Sequence, residues 1–199
     1  MDWVGGTMGF RRKRGGGRGQ AVARAVGLRG AKVAPRVVDL TSGLGRDSFV
    51  LATLGCPVLA VERQSEIHQL VADGLRRALS DPETAAALGD HLQLLHADAI
   101  DLLAQWPQGP VAEFAPDVLY LDPMHPPRPK SALPRKEMRL FRQLVGADLD
   151  QEQLLAAAIA SGVRRVVVKR PSHAAPLALG VNSSVPGKTT RFDVYLAAT

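Results

Sequence analysis

Val37-Val38-Asp39-Leu40-Thr41-Ser42-Gly43-Leu44-Gly45-Arg46-Asp47 is the stretch on which the fold turns. A short apolar strand runs into a Gly-x-Gly turn, and the turn opens a helix-like stretch at 45–55, where α/β sheets take their ligands. Glycine at such a turn lets the backbone approach a ligand closely. A dinucleotide fingerprint would place a third glycine at position 48, so that the helix packs beside a pyrophosphate, but Ser48 stands there.

Outward from this turn, Val- and Leu-rich runs recur at 37–40, 58–61, 92–95, 117–121 and 164–168. Helix-like stretches separate them at 45–55, 65–79, 98–105 and 150–160. This alternation predicts a parallel sheet with helices on both faces. The pattern then changes: 178–185 and 191–197 read as strands joined by Pro186, Gly187 and Lys188, which leaves no room for a crossover helix. An α/β sheet of this kind, mostly parallel and ending in an antiparallel hairpin, resembles the seven-stranded, Rossmann-like sheet of class I S-adenosylmethionine (SAM)-dependent methyltransferases. A dinucleotide dehydrogenase would continue with a sixth parallel strand.

Four acids stand at successive strand ends: Asp39, Glu62, Asp98 and Asp122. Glu62 lies about 20 positions beyond the turn, where a carboxylate accepts both ribose hydroxyls of NAD or SAM alike. Asp98 follows the third strand, as an acceptor for an adenine amine or as a helix cap. Asp122 opens Asp122-Pro123-Met124-His125-Pro126, which resembles the Asn/Asp-Pro-Pro-aromatic motif of methyltransferases acting on planar exocyclic amines. Such an amine is a poor nucleophile because its lone pair is delocalised into the ring. The Asp122 carboxylate and the Pro123 carbonyl can accept its protons and favour a pyramidal, attacking geometry. His125 occupies the position of the stacking ring, where it is either a platform for a base or a polar loop residue.

The net charge of +6 is unevenly spread. Residues 1–36 carry nine Lys or Arg (Arg11, Arg12, Lys13, Arg14, Arg18, Arg24, Arg29, Lys32, Arg36) against Asp2, and 128–142 carry six against Glu137. Between them, 37–122 holds thirteen acids and four bases. Two basic segments flanking an acidic centre suit a polyanion held around a site that does not itself bind phosphate. Residues 5–19 are Gly- and Arg-rich and precede a short helix-like stretch at 20–28, which divides the chain into a basic arm with a short helix at 1–30 and a catalytic domain at 31–199. The Pro-rich, basic segment 123–136 is expected to form an ordered loop over the C-terminal edge of the sheet. No run of about 18 apolar residues is present to span a membrane. The start lacks the apolar core of a signal peptide, so a cytosolic protein is expected. Cys56 reads as a packing residue, and no histidine spacing suggests a metal site.

Several stretches together resemble one family, the RsmJ-type 16S ribosomal RNA (guanine-N2)-methyltransferases. They are Gly5-Gly6 through Gly19, Thr41 to Asp47, Leu121-Asp122-Pro123-Met124, Lys130-Ser131-Ala132-Leu133, Lys136-Glu137-Met138-Arg139 and Val166 to Pro171. The resemblance implies a class I fold, SAM as methyl donor, and methylation of a guanosine amine in the small-subunit RNA. It places cofactor contacts at Arg46, Asp47, Glu62, Arg63, Asp98, Ala99 and Asp122, to which the strand–turn reading adds Asp39, Gly43 and Gly45. Asp122, Pro123 and His125 become the catalytic group. Arg11, Arg12, Lys13, Arg14, Arg18, Arg128, Lys130, Arg135, Lys136 and Arg139 become phosphate contacts on 16S RNA or the small subunit. Lys169 and Arg170 end the fifth strand, to fix RNA or to cap the sheet edge. The chain departs from the family in His125 and in starting almost at the Gly-Gly-Arg run, which a further segment precedes in family members. The rival readings are a methyltransferase of another planar amine, a nicotinamide-dependent oxidoreductase and a non-catalytic RNA-binding protein.

Overall fold

The computed structural model describes residues 2–5, 9, 15–123 and 150–197. His125, Arg128, Lys130, Arg135, Lys136, Arg139 and Arg11 to Arg14 lie outside them, as does the expected Pro-rich loop beyond Pro123. Among the described residues, seven strands form one sheet: β1 (Val37–Asp39), β2 (Val58–Glu62), β3 (Leu92–His96), β4 (Val118–Leu121), β5 (Arg165–Pro171), β6 (Ser183–Pro186) and β7 (Thr190–Leu196). Their order is β3-β2-β1-β4-β5-β7-β6, parallel from β3 to β5, with β7 antiparallel to both β5 and β6. The chain reverses direction across the sheet between β1 and β4, and in open α/β sheets the ligand crevice lies at such a reversal, outside the carboxyl ends of the strands. Asp39 and Asp122 stand at that point.

The helices are α1 (Ala21–Ala25), α2 (Arg46–Thr53), α3 (Ser65–Ser80), α4 (Pro82–Leu88), α5 (Ala99–Ala104), α6 (Gly109–Phe114) and α7 (Gln151–Ala160). The central strands β1, β2 and β4 are buried along their whole length, and are apolar up to their terminal acids, because both faces are covered. Val37, Val58, Val118, Tyr120 and Val167 pack with Phe49, Leu51, Ile67 and Val71 on one face. Their neighbours Val38, Leu59, Leu119, Leu121, Val166 and Val168 pack with Leu102, Val111, Leu154 and Leu155 on the other. In α3 the buried residues Ile67, Val71, Gly74 and Ala78 recur at helical spacing, so a single stripe faces the sheet.

Two features differ from the sequence reading. The stretch 178–182 is not strand: β6 spans Ser183–Pro186, while Tyr195 Oη both accepts from Ala178 N and donates to Ala178 O, holding the approach as a loop. Two short helices, α4 and α6, went unpredicted; each starts with proline in its first turn, and Asp81 caps α4 by accepting from Thr84 N at 2.9 Å. Trp3, Val22, Val26 and Leu28 are buried in the same cluster as Phe49 and Tyr120. Cys56 is fully buried there, and burial pushes its thiol up to about 11, as suits a packing residue.

Candidate active site

The strand ends converge as their register requires. Asp39 lies between Ala60 of β2 and Tyr120 of β4, and Glu62 lies opposite His96 of β3, so the four acids follow one another along one edge. Gly43 and Gly45 have φ of 52° and 64°, the left-handed region that glycine enters without strain. Gly45 is tight as well as bent: a Cβ there would stand 2.8 Å from Trp3 Cζ2, so the turn rests directly on the indole.

Beneath the turn is a connected set of polar contacts. Asp39, almost wholly buried, accepts from Ser48 Oγ and from Thr41 N. Burial pushes the Asp39 carboxyl up to about 7; the hydrogen bonds from Ser48 and Thr41 act against this, and the charges of Asp47 and Asp122 add to it. Ser48, which replaces the glycine of a dinucleotide fingerprint, is thus the partner of the first strand-end acid. Asp47 turns inward from α2, where its Oδ2 accepts from Tyr120 Oη at 2.8 Å and from Lys169 Nζ at 2.7 Å. The same ammonium donates to Asp122 Oδ2 at 2.7 Å, and Asp122 N donates to Thr41 Oγ1 at 2.6 Å.

Towards the outer strands, Glu62 is buried and its Oε1 accepts from Gln64 N at 2.7 Å. The Arg63 guanidinium lies 2.6 Å from Asp150 Oδ2 and 3.7 Å from Asp98 Oδ2, tying the ends of β2 and β3 to the start of α7. Asp98 accepts from Ile100 N at 2.8 Å, so it does cap α5, and Ala99 is buried behind it. The structure therefore brings together Asp39, Gly43, Gly45, Arg46, Asp47, Glu62, Arg63, Asp98, Ala99 and Asp122 along one edge, with Pro123 next to Asp122.

The residues expected at RNA divide. Lys169 belongs to this internal set, and Arg170, 8% exposed, donates to Ala175 O and Gln151 Oε1, so both are engaged within the protein. Arg18 donates to Ala31 O at 3.4 Å. Sequence reasoning missed Tyr120, Thr41 and Ser48 as supports, and Lys169 as a partner of two carboxylates. Strand register was the signal for Lys169: Leu121 pairs with Val168, so the residues that follow, Asp122 and Lys169, leave adjacent strands side by side. Among the described residues, no group of three or more acids, histidines and cysteines could hold a metal ion, and no helix is long and apolar enough to cross a membrane.

Sheet order, glycine turn and strand-end acids define a class I SAM-dependent methyltransferase. A family model described as "Putative SAM-dependent methyltransferase" matches residues 1–197. Ribosomal RNA small subunit methyltransferase J of Yersinia enterocolitica is 52% identical over 197 residues, covering 98% of this chain and 75% of that protein. Its counterpart in Photobacterium profundum is 52% identical over 200 residues, covering 100% and 77%. The chain belongs to this family, the J-type small-subunit ribosomal RNA methyltransferases. A crystal structure of a SAM-dependent methyltransferase from Neisseria gonorrhoeae matches with a TM-score of 0.70 at 36% identity, covering 98% of this chain and 73% of that one. An RNA methyltransferase from Salinibacter ruber in complex with S-adenosyl-L-homocysteine shares the fold, with a TM-score of 0.52 at 14% identity over 88% of this chain and 89% of that one.

The donor set fits SAM. The turn that would carry a pyrophosphate instead has Ser48 committed to Asp39, while carboxylates stand at the ends of β1, β2 and β4 and after β3. Asp47 and Asp122 flank one ammonium, Lys169, and both also press electrostatically on the buried Asp39, so the floor of the site favours a cationic group over an anionic one.

Proposed function

We propose that this enzyme methylates the exocyclic N2 amine of a guanosine in 16S ribosomal RNA of the small subunit. The observation that carries the reading is Asp122-Pro123 at the carboxyl end of β4, at the crevice, with the Asp122 carboxylate fixed by Lys169 and its backbone N–H fixed by Thr41. SAM supplies an electrophilic methyl group. Glu62 is the acceptor for its ribose hydroxyls and Asp98 for its adenine, while the Gly43–Gly45 turn admits it close to the backbone. Asp122 Oδ and Pro123 O accept hydrogen bonds from the two protons of the target amine. This holds the nitrogen lone pair out of conjugation and available for attack on the methyl group that bound SAM would supply. Positioning of this kind supplies several kcal/mol of a methyl-transfer barrier, up to roughly 7–11 in well-oriented systems.

His125 stacks the extruded base, and the basic residues Arg11 to Arg14, Arg18, Arg128, Lys130, Arg135, Lys136 and Arg139 bind phosphates around it. The family relationship and the two basic segments support RNA as substrate. The guanine amine is supported by the Asp-Pro pair, which suits a planar amine, and by the resemblance set out above.

The test is incubation with methyl-labelled SAM and small subunits lacking the modification, followed by digestion and nucleoside separation. Label in N2-methylguanosine, lost in Asp122→Ala with RNA binding retained, is the expected outcome. Label in another nucleoside would replace guanine N2 as the target, and Asp122→Ala with full transfer would remove Asp122 from the chemistry.

A further inference from the structure

Lys169 is the one ammonium among the described residues that bridges two carboxylates of the site. Its Nζ stands 2.7 Å from Asp122 on β4's end and 2.7 Å from Asp47 on α2, and its side chain is 24% exposed. Burial works against its charge, but the two carboxylates more than offset this and hold it firmly protonated. Asp47 is itself anchored by Tyr120, which is wholly buried beneath the crevice. The chain of contacts Tyr120–Asp47–Lys169–Asp122 therefore runs from the core of the sheet to the residue that faces the amine.

Such a chain does two things that a phosphate contact would not. It restrains the Asp122 carboxylate, since Oδ2 is held by an ammonium that is held in turn by a buried acid. It also keeps Asp122 an acceptor, because the ammonium offers only donors and favours the ionised carboxylate. The amine needs an acceptor with a fixed direction, and loss of about 1 Å in placement costs on the order of 100-fold in rate.

We propose that Lys169 is a positioning residue for methyl transfer, acting through Asp122, and is not an RNA contact. This rests on Asp122 acting on the substrate amine, as proposed above. The Asp47 contact gives Lys169 a fixed origin, so its role depends on geometry as well as charge. Arginine preserves the charge but cannot place a single nitrogen between the two carboxylates in the same way.

The experiment compares wild type, Lys169→Met and Lys169→Arg on small subunits lacking the modification. It measures kcat, KM for RNA, RNA Kd as a function of salt, and thermal melting. For Lys169→Met, kcat falls roughly 10- to 100-fold while RNA Kd and the salt slope stay at wild-type values; Lys169→Arg recovers part of the loss. Should Lys169→Met not fold, Lys169→Arg carries the test alone, with kcat below wild type at unchanged RNA Kd. Wild-type kcat in Lys169→Arg, or in a folded Lys169→Met, overturns the proposal. So does weakened RNA binding with the salt slope reduced by about one, the signature of a lost phosphate contact. A wild-type enzyme that labels a different nucleoside would remove guanine N2 as target yet leave the Lys169 comparison readable on that product.

Discussion

Asp39 combines almost complete burial with a carboxyl held near neutrality, and this has a measurable consequence for stability. Its pKa of about 7 in the folded protein lies above the ordinary 3.8, so between these values the folded state binds more protons than the unfolded chain. Stability contributed by this group is full below the lower value, declines as pH rises through the window, and is level above the folded pKa. The decline approaches about 1.4 kcal/mol per pH unit at its steepest. Asp39→Asn keeps an acceptor for Ser48 and Thr41 but cannot ionise. Urea unfolding of both proteins from about pH 4 to about pH 8 is expected to show the stability of wild type falling relative to Asp39→Asn until about neutrality, then running parallel. A difference that stays flat across that range would mean that Asp39 titrates as an ordinary aspartate. The same residue shows where single-sequence reading stops. Asp39 was visible as a strand-end acid, but its pairing with Ser48 was not, because only the turn geometry brings the hydroxyl back onto the strand it follows.

At the scale of elements, the glycine turn is supported from an unexpected direction. Trp3 packs against Phe49 of α2, with ring centroids 5.0 Å apart, and its indole fills the space that a side chain at position 45 would need. Gly45→Ala meets two penalties: an alanine in the left-handed region costs about 1–2 kcal/mol, and its Cβ must displace the indole. Trp3→Ala empties a buried site and costs roughly 3–5 kcal/mol. Because the indole is what the new Cβ strikes, the double variant should be destabilised by less than the sum of the two, which denaturant unfolding of all four proteins would measure. Strict additivity would show that Trp3 and Gly45 are independent. The elements themselves were largely legible, and for a physical reason: buried parallel strands are continuous apolar runs, and α3 shows its buried stripe at 3.6-residue spacing. What escaped was short or dependent on partners. The helices α4 and α6 have seven and six residues, too few to show a period, and only their prolines and the Asp81 cap of α4 announce them. The stretch 178–182 reads as strand by composition, but the Ala178 backbone is tied to the Tyr195 hydroxyl and not to the backbone of a neighbouring strand. Trp3, in a Gly-rich start, gives no local sign that it belongs to the core.

At the scale of the whole molecule, the net charge of +6 overstates what is offered to RNA by some of its parts and hides what is offered by others. Several bases serve the fold. Arg24 donates to Pro186 O, Arg36 donates to Phe114 O and lies over its ring, Arg165 donates to Ala25 O, and Arg191 pairs with the buried Asp193. With Lys169 and Arg170 also engaged, the described body contributes fewer cations to a polyanion than its composition suggests. The acidic centre at 37–122 opposes a phosphate backbone directly. Affinity for RNA must then come disproportionately from the two basic segments, and the run Arg11-Arg12-Lys13-Arg14 is the densest part of the first. Each phosphate neutralised adds about 0.7–0.9 to the slope of log affinity against log salt. Replacing these four residues with glutamine should therefore flatten that slope by roughly 3 and weaken RNA binding at low salt more than at high salt. The transfer step at saturating RNA should be largely preserved, because none of the four belongs to the Asp122 set. Filter binding over a salt series, with single-turnover methylation beside it, separates the two effects. An unchanged slope would move the electrostatic contact to the second basic segment, whereas a lost transfer step at saturating RNA would mean that the N-terminal run also orients the target nucleotide.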